Sequence, residues 1–292
     1  MEFMSYGIIT AAKNEEKYIQ ATINSVTNQS ILPDVWVIVD DGSTDGTRDI
    51  IMNYLIEYEF IKLVCLGKET GRTVASKVKA IDEGYKFLQK YNLTYIGILD
   101  ADIALPVNYY QNMILELEKK PELGVIGGTM IEIRNGKKEK SSSGVHHVIG
   151  AVQFFRKSCY DEIGGIPKID TVGEDSAALI AARANGWQTK TVRNIEFEHL
   201  KPKGVTIVGS LKKSYRLGVG DFSLGVIWIF AIVKGIRRLF WKPYFLFGLG
   251  YLAGFVHANI KGNRRQLSSE YITYYKREQI QRISNIFKVS VE

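Results

Sequence analysis

Only two cysteines, Cys65 and Cys159, occur in the 292 residues. That is far too few for a disulfide framework, so a reducing compartment is expected. Long apolar runs are scarce as well. A bilayer-spanning helix needs about 20 predominantly apolar residues. Of two uncharged stretches, FSLGVIWIFAIV (222–233) is too short, and PYFLFGLGYLAGFVHANI (243–260) is borderline and broken by Gly248, Gly250 and Gly254. The opening MEFMSYGIITAAKNEE enters a strand-like run without a basic segment and long apolar core, so no secretory signal is expected. There is no low-complexity tract and no internal repeat. No nucleic-acid recognition module is visible either, which argues against nucleic acid as the partner of the basic charge.

That charge is unevenly spread. Residues 1–200 carry 22 Lys and Arg against 27 Asp and Glu, whereas residues 201–292 carry 16 against 4. A near-neutral to acidic body is thus followed by a basic tail of net +12. The length suits one large α/β domain or two modest ones.

Along the body, short apolar runs alternate with helical spacing. YGIITAA (6–12), VWVIV (35–39), IKLVCL (61–66), YIGIL (95–99) and GVIGGTMIEI (124–133) read as strands of a doubly covered sheet. Between them, Tyr18, Ile19, Thr22, Ile23 and Val26 fall at helical spacing, and further helices are expected over 73–90 and 108–120. Alternating β and α elements predict a parallel sheet wrapped by helices. Such sheets bind ligands beyond the carboxyl ends of their strands. The polar residues gather at those ends: Thr10 to Asn14, Asp40 with Asp41, and Asp100 with Asp102.

Three clusters carry the chemistry. VDDGSTDGT (39–47) reads partly as a turn in which Ser43 or Thr44 caps a helix beginning near Gly46, but capping leaves Asp40 and Asp41 unexplained, and a ligand role is expected for at least one. Asp100 and Asp102, two apart, project to one side of an extended chain and repel each other. A divalent cation resolves that conflict, and Mg²⁺ or Mn²⁺ suits oxygen ligands shared with a phosphate. In GEDSAALIAARANGW (173–187), Glu174 and Asp175 fall in the first turn of a helix, where the helix dipole favours negative charge; the functional reading makes one of them a general base.

These residues resemble an inverting family 2 glycosyltransferase of the GT-A fold. TAAKNEEKYIQATINSVTNQS, VDDGSTDGT, the D-A-D of 100–102, IGG (163–165), GED (173–175) and His199 in FEHLKPKG carry the resemblance over about 6–200. It implies a Rossmann-like, mostly parallel sheet over residues 1–205, followed by an amphipathic helical extension over 206–292. It implies Thr10, Ala12 and Asn14 beside the nucleotide, Asp41 on the base or ribose, and Asp100 with Ala101 at the donor. Asp102 becomes the principal metal ligand, joined by Asp100 and His199, with Mn²⁺ or Mg²⁺ as cofactor. Asp175 matches the catalytic base and Glu174 supports the acceptor side, while Lys68, Arg72 and Lys77 are candidates for neutralising phosphate.

The expected reaction moves a sugar from a UDP-, GDP- or dTDP-sugar to a hydroxyl of a lipid-linked or surface glycan. A polyprenyl phosphate acceptor is already ionised and needs no base, so the Glu174–Asp175 pair favours a hydroxyl. A nucleotidyltransferase is a more distant reading. In the tail, Lys234, Arg237, Arg238 and Lys242 recur on one helical arc beside apolar runs and Trp228, Trp241 and Tyr244. Amphipathic helices on an anionic membrane surface explain these together, which places the protein peripherally at a cytoplasmic membrane face. Packing as ordinary core helices against the catalytic domain or within an oligomer, and true insertion, are the competing readings. SSSGVHHVIG (141–150) is read as an acceptor-side loop with His146 and His147 as surface or acceptor contacts.

Overall fold

A computed structural model describes residues 4–67, 73–134, 137–141, 144, 147–201 and 207–289. Two compact units result, Met1–Ile166 with Asn185–Lys203, and Pro167–Ala184 with Gly204–Glu292.

The first unit holds β1 (Tyr6–Ala12), α1 (Ile19–Thr27), β2 (Val35–Asp40), α2 (Thr47–Glu57), β3 (Ile61–Cys65), α3 (Val74–Leu88), β4 (Tyr95–Leu99) and β5 (Ile103–Ala104). α4 (Tyr109–Glu118), β6 (Leu123–Arg134), β7 (Lys137–Lys140), β8 (Val152–Arg156), α5 (Lys157–Glu162) and β9 (Gln188–His199) complete it. The strands form one sheet in the order β3-β2-β1-β4-β8-β6-β9-β5, with β7 paired to β6. Every residue of β2 is buried, as a strand covered on both faces requires. α1 buries Ile19, Thr22, Ile23 and Val26, the stripe its spacing predicts. α3 opens with Thr73 and Ser76 in a reciprocal cap. It presses so close to the sheet that a Cβ on Gly84 would lie 2.6 Å from the Ile9 side chain.

The parallel arrangement expected from the alternating pattern holds from β3 through β4. Beyond it the sheet is mixed: β8 runs antiparallel to both β4 and β6, and β9 returns parallel to β6. β1, β2 and β4 therefore end side by side, and the loops that follow them carry the motif residues.

The second unit consists of α6 (Glu174–Ala184), α7 (Ile207–Ser223), α8 (Trp228–Arg238), α9 (Leu246–Ile260) and α10 (Ser269–Val289). α6 thus groups with the C-terminal helices, where the sequence reading had grouped it with the body. Arg183 of α6 pairs with Glu278 of α10 at 2.9 Å, which accounts for that allegiance. α7 and α9 approach backbone to backbone: a Cβ on Gly218 would sit 2.0 Å from the Tyr251 carbonyl oxygen, and one on Gly254 2.1 Å from that of Tyr215. The glycines that break the apolar run of α9 are thus its packing surface. Among the described residues no helix is long and apolar enough to cross a membrane.

Candidate active site

The D-A-D turn after β4 is held through its main chain. Asp100 N–H donates to the Ala151 carbonyl at 2.9 Å, and Leu200 N–H donates to that of Asp102 at 2.9 Å. The Thr22 hydroxyl, projecting from α1, donates to the Ala101 carbonyl at 2.9 Å and accepts from Ile103 N–H at 3.1 Å. One α1 side chain therefore clamps both sides of the turn.

With the backbone fixed, the two carboxylates meet different surroundings. Asp100 pairs with Lys77 at 2.8 Å. Asp102 is buried, and its pKa is raised by burial first, then by the Asp100 charge and by Glu15, while His199 and Lys201 pull it back. His199 Nε2 lies 3.5 Å from Asp102 Oδ2, and its Nδ1 is buried without a hydrogen-bond partner among the described residues. β9 brings His199 here by pairing it with Ile103 of β5 on one side and with Glu132 of β6 on the other.

At the end of β1 and β2 most side chains hold the loops. Thr10 is fully buried and its hydroxyl accepts from the Trp36 indole at 3.0 Å. Ala12 is equally buried, and its carbonyl accepts from Asp41 N–H at 2.8 Å. Asn14 adopts a positive φ of 55°, a conformation asparagine tolerates. Its Oδ1 accepts from Thr44 N–H at 2.8 Å, and its own N–H donates to the Ser43 hydroxyl at 3.0 Å. Ser43 and Thr44 therefore stitch two loops together and do not cap α2, whose first residue Thr47 is tied to Asp45 Oδ1 at 3.1 Å instead. Asp40 accepts from Arg48 Nε at 2.8 Å and Nη2 at 2.6 Å, and from Ser43 N–H at 2.9 Å. Its placement after an apolar strand is thereby explained. Asp41, 3.5 Å from Lys13, has no such arginine clamp among the described residues.

Lys77, Asp100, Ala101, Asp102 and His199 thus come together, and Thr10, Ala12, Asn14 and Asp41 lie on the neighbouring strand ends of the same unit. Lys68, Arg72 and His146 fall outside the described residues. Glu174 and Asp175 occupy the first turn of α6 in the second unit, Asp175 Oδ1 accepting from Ser176 N–H at 2.7 Å. Three residues of the site escaped the sequence reading. Glu15 is buried and bound by Lys201, whose Nζ is 3.1 Å from both carboxylate oxygens, and Glu132 is buried in register with His199. Glu15 and Lys201 lie 186 residues apart, so no local pattern links them.

Among the described residues no three His, Cys, Asp or Glu side chains form a ready-made metal cluster. The residues present still fit a hard divalent cation of the Mg²⁺ type, which binds through one or two carboxylates and completes its shell with phosphate and water. A buried aspartate with a raised pKa, 3.5 Å from the Nε2 of an imidazole, is what such an ion would satisfy.

Over 27% identity and 176 residues, the chain resembles the poly-β-1,6-N-acetyl-D-glucosamine synthase of Staphylococcus epidermidis, covering 53% of this chain and 40% of that one. A Bacillus subtilis teichuronic acid biosynthesis glycosyltransferase, TuaG, is 38% identical over 95 residues, 32% of this chain and 34% of the relative. The chain therefore spans well under half the length of these relatives. Among solved structures, the Pyrobaculum calidifontis mannosyltransferase PcManGT, in complex with GDP-Man and Mn²⁺, superposes with a TM-score of 0.59 at 16% identity, over 100% of this chain and 82% of that one. Staphylococcus aureus TarS gives 0.56 at 17% identity, over 90% of this chain and 44% of that one. Both likenesses establish the shared GT-A fold. Residues 7–171 match the sequence profile of glycosyl transferase family 2, more than half of the chain, and the protein belongs to that family of glycosyltransferases.

Proposed function

We propose that this glycosyltransferase moves a sugar, with inversion, from a UDP-, GDP- or dTDP-sugar to a hydroxyl of a lipid-linked or surface-glycan acceptor, using Mn²⁺ or Mg²⁺. The observation that carries the reading is Asp102, buried against Asp100 with a raised pKa and flanked by His199. Evolution of a stable fold alone gives no reason to hold two carboxylates in mutual repulsion at a strand end. A cation and a diphosphate do.

In this reading Asp102 and His199 hold the metal, which when bound supplies Lewis-acid stabilisation of the charge growing on the leaving diphosphate. Lys77, held beside the D-A-D turn by its pairing with Asp100, is the described cation that would neutralise phosphate. Asp41, Ala12 and Asn14 shape the nucleotide end. Asp175 takes the proton of the acceptor hydroxyl, and Glu174 supports the acceptor. Backside attack by the resulting alkoxide-like oxygen inverts the anomeric carbon and releases a nucleoside diphosphate. The structures of TarS with UDP-GlcNAc and of PcManGT with GDP-Man and Mn²⁺ support the donor class. The polysaccharide-building names of the relatives support a glycan acceptor. The basic, amphipathic second unit supports residence on an anionic membrane surface at its cytoplasmic face.

Product analysis tests the reaction type. Donor turnover should release nucleoside diphosphate, depend on Mn²⁺ or Mg²⁺, and vanish in Asp102→Ala. Release of pyrophosphate would replace this reading with nucleotidyl transfer, and efficient transfer to a bare polyprenyl phosphate would replace the hydroxyl acceptor.

A further inference from the structure

We infer that the outward face of α8, continued through the turn into α9, is the element that seats this protein in the interfacial layer of a bilayer, and that apolar insertion rather than the basic charge supplies most of the binding. The inference rests on the membrane-surface reading above and names the part that carries it.

α8 is amphipathic in the reverse sense for a helix bathed in water. Its buried positions are the small residues Ala231 and Gly235. Its large residues face out: Ile229 is 55% exposed, Ile232 47%, Val233 45% and Ile236 51%. Their spacing of three and four residues makes one continuous stripe, and Phe240 and Phe245 extend it at 73% and 65% exposure. Contiguous apolar surface of this kind marks an interaction site. Trp228, Trp241 and Tyr244 are about half exposed along it, the ring types that settle at the headgroup level of a membrane.

α8 cannot roll to hide the stripe. A Cβ on Gly248 of α9 would be 2.6 Å from the Gly235 carbonyl oxygen, so the two helices touch at their backbones. Lys234 is tied to Asp221 at 3.0 Å, and the Arg238 guanidinium lies 4.1 Å from the Tyr251 ring centre and 3.7 Å from Asp221. The cationic arc expected from the sequence is therefore divided. Lys234 and Arg238 serve Asp221, and Arg237 and Lys242 remain exposed beside the stripe. That rim complements anionic headgroups, yet it is half of the expected charge. α8 and α9 have 11 and 15 residues, roughly 16 and 22 Å, short of the ~30 Å hydrocarbon layer, so they suit lying in the interface.

Flotation of the full chain with phosphatidylcholine vesicles, and with vesicles containing phosphatidylglycerol, tests this. The wild type should float with both and resist raised salt. Ile232→Glu with Ile236→Glu should lose at least about ten-fold in partitioning on both vesicle types, Ile236→Gln should lose less, and Arg237→Gln with Lys242→Gln should lose binding only on the anionic vesicles. Circular dichroism and an unchanged nucleotide-induced thermal shift confirm that the variants fold. Equal flotation of the Ile pair and the wild type would overturn the inference while leaving the membrane reading intact. Flotation on anionic vesicles alone, stripped by salt, would overturn it in favour of the basic charge. A wild-type dimer that the Ile pair dissociates, with flotation unchanged, would give the face to a second copy of the chain. A wild type that floats with neither vesicle would remove both the inference and the membrane reading.

Discussion

Two desolvated aspartates, one in each unit, have opposite fates. Asp102 sits at the end of a strand with its pKa raised, by burial and then by the neighbouring Asp100 and Glu15 charges, which His199 and Lys201 do not overcome. Asp221 is also desolvated, but Lys234, Arg238 and a 2.6 Å hydrogen bond from the Tyr251 hydroxyl outweigh that and hold its pKa below the usual carboxylate range. The second unit completes its buried charge within itself, and the first leaves its own incomplete. A satisfied carboxylate is structural. In the proposed function, a carboxylate whose partners fall short of neutralising it is the one that serves a ligand.

The largest expected effect lies in the chemistry. Asp175→Asn should lower turnover by about 10²–10⁴-fold, the usual contribution of a positioned base, while nucleotide-sugar binding followed by calorimetry stays unchanged. Undiminished turnover would remove the base from Asp175.

Next in size are the two aspartates themselves, with opposite signs. Asp221→Asn leaves Lys234 and Arg238 facing a neutral group and should destabilise the protein by about 3–5 kcal/mol in urea unfolding. Asp102→Asn removes a repulsion and should stabilise the metal-free protein by about 1 kcal/mol, at the cost of donor binding. Loss of stability in both variants would erase the distinction.

The pH dependence follows from the same shifts. Asp221, with its folded pKa lowered, contributes stability that is present above the unfolded value of about 3.9 and is lost as pH falls through the folded value. Asp102, with its folded pKa raised, carries no penalty below the unfolded value and an increasing one as pH rises through the folded value. Urea midpoints against pH for each Asn variant should therefore diverge from the wild type in opposite directions, Asp221→Asn flattening the acid limb and Asp102→Asn removing the penalty that builds above the unfolded value. Parallel curves would contradict the assignment. The most local effect is at α1: Thr22→Val removes the clamp on the D-A-D turn and should cost about 1–3 kcal/mol through the unpaired Ile103 N–H and Ala101 carbonyl. A neutral result would mean the turn holds without α1.

What the sequence made legible was what short-range pattern encodes. β1 to β4, α1, α3 and α4 follow from apolar runs and helical spacing, and the D-A-D and VDDGSTDGT segments announce themselves at strand ends. The antiparallel half of the sheet was hidden because β8 and β9 are placed by register with distant strands rather than by their own composition. Glu15 with Lys201, and Glu132 with His199, are juxtaposed by that same pairing. In the tail, the spacing of Lys234 and Arg238 matches an outward basic arc equally well. Only Asp221, on another helix, turns these two cations inward.

The most direct test of the central claim is a thermal-shift panel of UDP-, GDP-, dTDP- and CMP-sugars, each with and without Mn²⁺, on the wild type and Asp102→Ala. If Asp102 and His199 complete a metal shell only together with a diphosphate, as proposed, Mn²⁺ alone should shift the wild type little, one nucleotide class with Mn²⁺ should stabilise it clearly, and Asp102→Ala should lose that gain. Stabilisation by a nucleotide that is indifferent to Mn²⁺ and to Asp102, or no stabilisation by any of them, would contradict the claim that this aspartate is held in repulsion for a metal and its donor.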